Sequence, residues 1–178
     1  KEFFPLLKNN QVWLGYTSPK EFMQPDNSIK KFGNISWFTN LDISKSHEFL
    51  DLIEKYTPEK YPKYDNYDAI NVDKVLDIPC DYYGVMGVPI TFMSQYSPEQ
   101  FDVVGITTND KENIWGIKTR TYSIDDTKKY TILNAASVLK IDENLKACYA
   151  RILIRRKRGI IMQIEDIQSS VTNKDKEW

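Results

Sequence analysis

Apolar runs separated by proline-containing and polar segments divide the chain into a series of short predicted elements. Apolar positions share one helical face over Phe3–Leu7, which predicts a short N-terminal helix that ends at Asn9. The runs Gln11–Tyr16 and Asn34–Thr39 are typical of buried strands. Between the two strands, Pro, Asp, Asn and Ser positions indicate an irregular loop over residues 17–33.

The middle of the chain contains one strong helical pattern followed by a long loop. Apolar residues at helical spacing predict a helix over Ser46–Tyr56 that begins at Ser44 or Ser46. The prolines and Asx residues of Thr57–Pro79 predict a long ordered loop with one short strand. Four side chains of the predicted helix are expected to face inward, namely Phe49, Leu50, Ile53 and Tyr56.

The C-terminal half is predicted to be strand-rich. Strands are expected over Val88–Phe92, Phe101–Thr107 and Ala147–Arg155, and a short helix is expected to begin at Ser97 with Pro98 in its first position. The polar stretch 108–144 is expected to be a variable excursion. Beyond the last strand, residues 159–178 are predicted to form a partly frayed extension that contains an amphipathic segment over 160–167.

Composition indicates one globular domain without special chemistry. The chain has 178 residues, of which 41% are hydrophobic and 28% are charged, as in ordinary globular domains. It contains no apolar run of the roughly 20 residues that would span a bilayer and no signal segment, so we predict a cytoplasmic protein that does not contact membranes. Cys80, Cys148 and His47 have no spacing that predicts a disulfide or a metal site.

The positive charge of the chain is concentrated in one window. The formal net charge is -1, yet residues 151–158 contain four arginines and one lysine and no acid. Contact with nucleic-acid phosphates requires arginine and lysine side chains on one surface. If this window is a strand, Arg151, Arg155 and Lys157 lie on one face of it. A basic strand edge that prevents aggregation is the alternative. The candidate DNA contacts in this window are Arg151, Arg155, Arg156, Lys157 and Arg158.

A second candidate contact region is the loop that contains Lys63, Tyr64, Asn66 and Tyr67. Aromatic faces stack on unpaired bases, and an Asn amide can pair with the edge of an adenine. These properties make the four residues candidates for DNA binding. The alternative is a turn in which residues 65–66 bond to nearby backbone while both tyrosines cover the core.

A third candidate is the end of the predicted strand at Trp37, Phe38 and Asn40. Ligand groups of open α/β sheets lie at strand termini, and an aromatic ring there can stack on an extruded base. We therefore consider these three residues as base-pocket candidates. A pair of core aromatics is the other interpretation. The glycine-rich segment Gly84–Pro89 matches no phosphate-binding fingerprint, and we interpret it as a structural turn.

Four segments resemble the adenine-specific DNA methyltransferases of the EcoRI type. They are Trp37–Asp42, Lys63–Ile70, Gly84–Phe92 and Tyr149–Ile154, in that order along the chain. The resemblance covers residues 1–156 and concerns only the C-terminal part of that family. The family's S-adenosylmethionine-binding half and its Asn-Pro-Pro-Phe catalytic motif would lie upstream of Lys1.

The resemblance implies a fold and a function. The expected fold is α/β, with the later strands and helices of a methyltransferase-like Rossmann sheet and a loop-rich recognition region. The expected reaction is methyl transfer from S-adenosylmethionine to N6 of an adenine flipped out of duplex DNA. Residues 1–158 would form one domain that completes the sheet and contacts DNA. No catalytic, cofactor-binding or metal-binding residue is expected in this chain, which alone is predicted to be inactive and to self-associate through exposed apolar surface.

Two other function classes stay open from the residues alone. One is a non-catalytic DNA-binding or specificity module whose catalytic partner is a separate chain. The other is an interaction domain that does not bind nucleic acid, in agreement with the near-zero net charge. Salt-dependent DNA binding separates this last class from the other two.

Overall fold

The structure is a computed structural model that describes residues 4–14, 21–31, 38–108 and 113–158. Short 3₁₀ helices connect several strands, over Ser44–His47, Val75–Asp77 and Ile90–Gln95. The α-helices are α1 (Phe4–Lys8) and α2 (Tyr130–Asn134), and the strands are β1 (Trp13–Leu14), β2 (Glu21–Met23), β3 (Ile29–Lys31), β4 (Phe38–Thr39), β5 (Ile70–Asn71), β6 (Met86–Pro89), β7 (Phe101–Ile106), β8 (Val138–Ile141), β9 (Asn144–Ala147) and β10 (Arg151–Arg156).

A four-stranded sheet with the order β5-β6-β10-β7 forms the centre of the described structure. Strands β5 and β6 are parallel, whereas β10 is antiparallel to both of its neighbours, β6 and β7. Strand β7 therefore runs in the same direction as β5 and β6. Three two-stranded sheets, β1-β4, β2-β3 and β8-β9, lie outside this central sheet. The described residues thus form a mixed α/β structure.

Strand β10 is apolar on both faces because it lies between two layers of core. Ile152 and Ile154 pack into the larger core, whereas Leu153 packs into a second cluster on the opposite face. All three side chains are buried. This two-sided burial explains why the sequence runs apolar here instead of alternating with polar residues.

Two glycines flank Leu153 across the sheet and make room for aromatic rings. Leu153 is in register with Gly87 on β6 and with Gly105 on β7. A Cβ atom at Gly87 would lie 2.5 Å from the Tyr64 hydroxyl, and a Cβ atom at Gly105 would lie 2.8 Å from the Trp115 ring. The two glycines therefore let Tyr64 and Trp115 pack directly on the backbone of the sheet.

The predicted helix over Ser46–Tyr56 is wrong. Only the 3₁₀ turn Ser44–His47 forms, and the chain is then irregular, with Phe49 and Ile53 exposed. Hydrogen bonds to distant residues replace those of a helix: the Leu50 N–H donates to Gln100 Oε1 and the Gln100 amide donates to the Leu50 carbonyl, both at 2.8 Å. Similarly, the Cys80 N–H donates to the Glu54 carbonyl at 2.7 Å.

Other predicted elements differ in extent. Residues 17–33 contain the hairpin of β2 and β3, whose turn places Asn27 at a φ of 62°. The expected strand over 147–155 is divided between β9 and β10, and the strand predicted from Val88 ends at Pro89, where a 3₁₀ helix begins. No helix begins at Ser97, where the chain forms a turn. Residues 108–144 are not featureless, since they contain α2 and β8.

Several predictions are confirmed. Helix α1, strands β1, β4 and β7, and one short strand within the long loop 57–79 occur where the pattern indicates them. Parts of the predicted strands at 15–16 and 34–37, and the whole extension 159–178 with its amphipathic segment at 160–167, lie outside the described residues.

His47 connects two loops through a pair of carboxylates and makes their contact depend on pH. Its Nε2 lies 2.5 Å from Asp42 and its Nδ1 lies 2.5 Å from Glu99. These hydrogen bonds, first that to Asp42, raise the pKa of His47 above its usual value of 6.5. Because the folded pKa is the higher one, the stabilisation is complete below pH 6.5 and is lost as pH rises through the folded pKa.

We therefore expect an NMR titration of the His47 ring to give a pKa above 6.5. The double variant Asp42→Asn/Glu99→Gln should lower this pKa towards the value of a free histidine. An unchanged pKa in the double variant would contradict the assigned partners.

Candidate nucleic-acid interface

The structure divides the basic window into two separate groups. Arg151 begins β10, and its side chain is mostly buried, with Nη2 3.5 Å from the Asp73 carboxylate. The other four basic residues lie at the opposite end of the strand, about 16 Å away at the usual rise of an extended chain. The pairing of β10 with β6 is regular from Arg151 to Ile154, and the register shift against β7 omits Val104 of β7. That Arg151, Arg155 and Lys157 share one face therefore stays a prediction.

A recess of about 710 Å³ gathers the second group. It contains four cationic side chains and two carboxylates, so its formal charge is +2. Such a surface attracts a polyanion although the whole chain is slightly acidic. The charged and aromatic residues that line this basic recess are Asp68, Tyr83, Asp102, Arg155, Arg156, Lys157 and Arg158.

Tyr83 organises two of the arginines. The guanidinium carbon of Arg156 lies 5.5 Å from the centre of the Tyr83 ring, and that of Arg158 lies 5.4 Å from it. Both distances are within the range of cation–π attraction. Among the described residues, Arg155, Arg156 and Arg158 have no carboxylate within ion-pair distance. Arg155 and Arg158 are exposed, whereas Arg156 is half-buried and its Nη1 is buried without a hydrogen-bond partner.

Lys157 is held more firmly than its neighbours. Its Nζ lies 3.3 Å from Asp102, and its backbone N–H donates to the Gln100 carbonyl at 3.0 Å. The backbone bond continues the pairing of β10 with the start of β7 and fixes the base of the recess. Arg155 and Arg156 also pair in register with Asp102 and Phe101.

Three of the four DNA-contact candidates in the loop with Lys63, Tyr64, Asn66 and Tyr67 point into the protein. Tyr64, Asn66 and Tyr67 are buried, whereas Lys63 is exposed. The Tyr64 hydroxyl donates to Asn71 Oδ1 at 2.7 Å, and burial raises the pKa of Tyr64. Because their polar atoms are used within the protein, these three side chains cannot reach a DNA groove in this conformation. The interpretation of both tyrosines as core residues is confirmed, but Asn66 does not bond to nearby backbone as that interpretation held.

Asn66 joins the loop to a distant part of the chain. Its side-chain oxygen accepts a hydrogen bond from the Val138 N–H at 2.8 Å. Its amide donates to the Ala136 carbonyl at 2.8 Å and to the Leu133 carbonyl at 3.4 Å. The side chain is 0% exposed, so all of its hydrogen bonds are internal.

Asp68 is a second exposed residue of this loop, and the sequence interpretation missed it together with Tyr83 and Asp102. Asp68 lies between the buried Tyr67 and Ala69, and its carboxylate lines the basic recess. A polar residue between two apolar ones in a loop rich in aromatics was the available signal. The partners of Tyr83 and Asp102 lie at the far end of β10, so no local pattern could indicate them.

The base-pocket candidates lie apart from the recess. Phe38 and Asn40 are exposed at the end of β4, which pairs with β1 and not with the central sheet. Neither residue lines the basic recess. Trp37 lies outside the described residues. A role of Phe38 and Asn40 as a base pocket therefore stays a prediction.

The described part of the chain shows neither a metal cluster nor a membrane span. Nowhere in it do three His, Cys, Asp or Glu side chains converge in a way that would hold a metal ion. None of its helices is long and apolar enough to cross a membrane.

Comparison with known proteins identifies similar sequences. The family model described as adenine-specific methyltransferase EcoRI matches residues 1–157. The type II methyltransferase M.EcoRI of Escherichia coli is 44% identical over 124 residues, which cover 58% of this chain and 38% of that protein.

Two mycoplasma proteins are also similar. M.MgeORF184P of Mycoplasma genitalium is 32% identical over 176 residues, or 87% of this chain and 52% of that protein. M.MpnI of Mycoplasma pneumoniae is 35% identical over 142 residues, which cover 68% of this chain and 44% of that protein. Both are named type II methyltransferases. The chain thus spans about half the length, or less, of the curated relatives that it matches, and no solved structure matches it.

Proposed function

The chain belongs to the family of EcoRI-type adenine-specific methyltransferases, and from this premise we propose that it is the DNA-contacting C-terminal portion of such an enzyme. The whole enzyme would transfer a methyl group from S-adenosylmethionine to N6 of adenine in duplex DNA. The names of the relatives support DNA methylation in a restriction-modification setting. The adenine specificity and the methyl donor are the finer parts of the proposal.

The single observation that carries the proposed DNA contact is the basic recess. Arg155, Arg156 and Arg158 extend from the end of a rigid central strand, and no carboxylate among the described residues neutralises them. Arginine and lysine bind phosphate oxygens without reading the sequence, and such contacts set the register of a protein on its duplex. We therefore assign phosphate contact to the four basic residues of the recess.

Arg151 and Lys63 have separate places in the proposal. Arg151 is mostly buried beside Asp73, so we assign it to the structure of the sheet end and not to DNA. Lys63 is exposed next to the buried Tyr64, and it is retained as a peripheral phosphate contact. Phe38 and Asn40 are retained as base-pocket candidates that the assembled enzyme would bring to the substrate.

The direction of the strands supports the proposed fold. Strands β5, β6 and β7 are parallel, and the antiparallel strand β10 lies between β6 and β7. This arrangement agrees with the later strands of a methyltransferase-like sheet. We propose that residues 1–158 act as one domain that completes this sheet. The S-adenosylmethionine site and the catalytic Asn-Pro-Pro-Phe motif would come mainly from sequence upstream, so this chain alone would be inactive.

Self-association of the isolated chain is also proposed. Large apolar side chains are exposed at Met23, Leu41, Ile53 and Leu76. A contiguous patch of such side chains tends to be covered by a partner.

Salt dependence of duplex DNA binding tests the proposed function. Each neutralised phosphate contributes about 0.9 to the slope of log affinity against log salt, so four contacts predict a slope of roughly -3.6. The slope is measured by fluorescence anisotropy with a labelled duplex between low and physiological salt. An affinity for DNA that does not change with salt would contradict the proposal.

Tyr83 provides a second test, because its ring holds two of the phosphate-binding arginines. We expect Tyr83→Leu to weaken duplex binding about 5- to 30-fold, since two cation–π contacts of about 0.5–1 kcal/mol each sum to about 1–2 kcal/mol. The variant Tyr83→Phe keeps the aromatic face and should bind like the unchanged protein. Equal losses in both variants would show that the hydroxyl, and not the ring, matters.

A further inference from the structure

We propose that Asp68 reads a base edge: its carboxylate accepts a hydrogen bond from the exocyclic amino group of an adenine or a cytosine in DNA bound at the basic recess. This inference rests on the proposed function, because the arginines of the same recess would hold the phosphates. It adds sequence recognition to a surface that phosphate contacts alone would leave unspecific.

Phosphate binding alone does not account for the composition of the recess. Asp68 and Asp102 lie among its four cations, and a carboxylate repels a phosphate wherever it lies near one. A base edge differs from a phosphate because it carries donors as well as acceptors. Carboxylates accept from amino groups such as cytosine N4, while arginines donate to acceptors such as guanine O6 and N7. A mixed set of carboxylates and guanidinium groups therefore fits a base edge.

The two carboxylates are not equivalent. Asp102 is paired with the Lys157 ammonium at 3.3 Å and forms part of the wall. Asp68 is exposed, and among the described residues no cation lies within ion-pair distance of it. Of the two, Asp68 thus has the oxygens that can accept a hydrogen bond from a ligand.

The loop around Asp68 is rigid, as direct base recognition requires. Its backbone N–H donates to the Ile117 carbonyl at 3.0 Å, and its neighbours Tyr67 and Ala69 are buried. The Tyr67 hydroxyl also donates to the Thr107 carbonyl at 3.2 Å. The buried residues of the loop therefore fix the position from which Asp68 enters the recess.

Selection from a library of random duplexes tests this inference. The unchanged chain should enrich duplexes with a defined base preference. In Asp68→Ala, which removes both acceptor oxygens, preference at one or two base pairs should fall about 5- to 100-fold while the salt slope stays the same. Asp125→Ala removes the same charge from an exposed site outside the recess, and it should leave the preference intact.

A second variant separates geometry from charge. Asp68→Glu keeps the negative charge but moves the carboxylate, so it should lose the base preference without any rise in affinity for other sequences. If Asp68→Ala instead strengthens binding to all duplexes equally and Asp68→Glu changes nothing, Asp68 acts only through its negative charge and the inference is wrong. If the unchanged chain shows no salt-dependent DNA binding, the proposed function itself fails, and the inference fails with it.

Discussion

Replacement of Asn66 by Asp is expected to lower the free energy of unfolding by about 3–5 kcal/mol, the range observed when a charge is left buried without a partner. The Asn66 amide donates to the carbonyls of Ala136 and Leu133, and a carboxylate oxygen in its place would face both acceptors. The side chain is 0% exposed, so water cannot compensate. Urea denaturation monitored by circular dichroism measures the change.

The matched control for this prediction is Asn144→Asp at the exposed start of β9. The chemical change is identical, and an exposed site away from special contacts should shift stability by no more than about 0.5 kcal/mol. Similar losses at both positions would mean that added charge, and not the buried hydrogen bonds of Asn66, determines the result.

Charge reversal at Arg155 and Arg156 is expected to have the largest effect on DNA binding. Two phosphate contacts would be lost and two repulsive charges introduced, so affinity should fall on the order of 100-fold at low salt. The salt slope should decrease by about 1.8. The loss should be the same for every duplex sequence, because phosphate contacts carry no sequence information.

A control with the same change of charge is Lys128→Glu/Lys129→Glu. Both lysines are exposed and lie outside the basic recess. This variant should reduce affinity only slightly, through the weaker overall field, and it should keep the slope. If the two double variants lose affinity equally, the net charge of the chain determines DNA affinity and the basic recess is not the DNA-binding site.

The sequence was most informative where local pattern and tertiary environment agree. Apolar residues identify both β7 and β10. Strand β10 lies inside the sheet and has three consecutive buried residues, whereas β7 is an edge strand whose burial alternates along its length. The helical spacing of Ser46–Tyr56 was misleading, since the side-chain amide of Gln100, 50 residues along the chain from Leu50, binds the backbone instead. No property of the segment itself could indicate this partner.

The candidate interface was predictable only in part, for the same reason. The cluster Arg155–Arg158 is visible in the sequence, and the structure gathers it in one recess. The sequence offered Asn66 as a DNA contact or as a turn residue bonded to nearby backbone. Its actual partners lie in residues 133–138, which no local pattern connects to it. The separation of Arg151 from the cluster follows from strand geometry, which residue types alone do not reveal.

The glycines on either side of Leu153 also determine where the arginines are. A slip of β10 by one residue would turn every side chain of the strand to the opposite face of the sheet. Only the true register places Leu153 between Gly87 and Gly105, beneath the space that Tyr64 and Trp115 fill. These two small residues thus fix the register of β10, and with it the position of the end of the strand that carries Arg155 and Arg156.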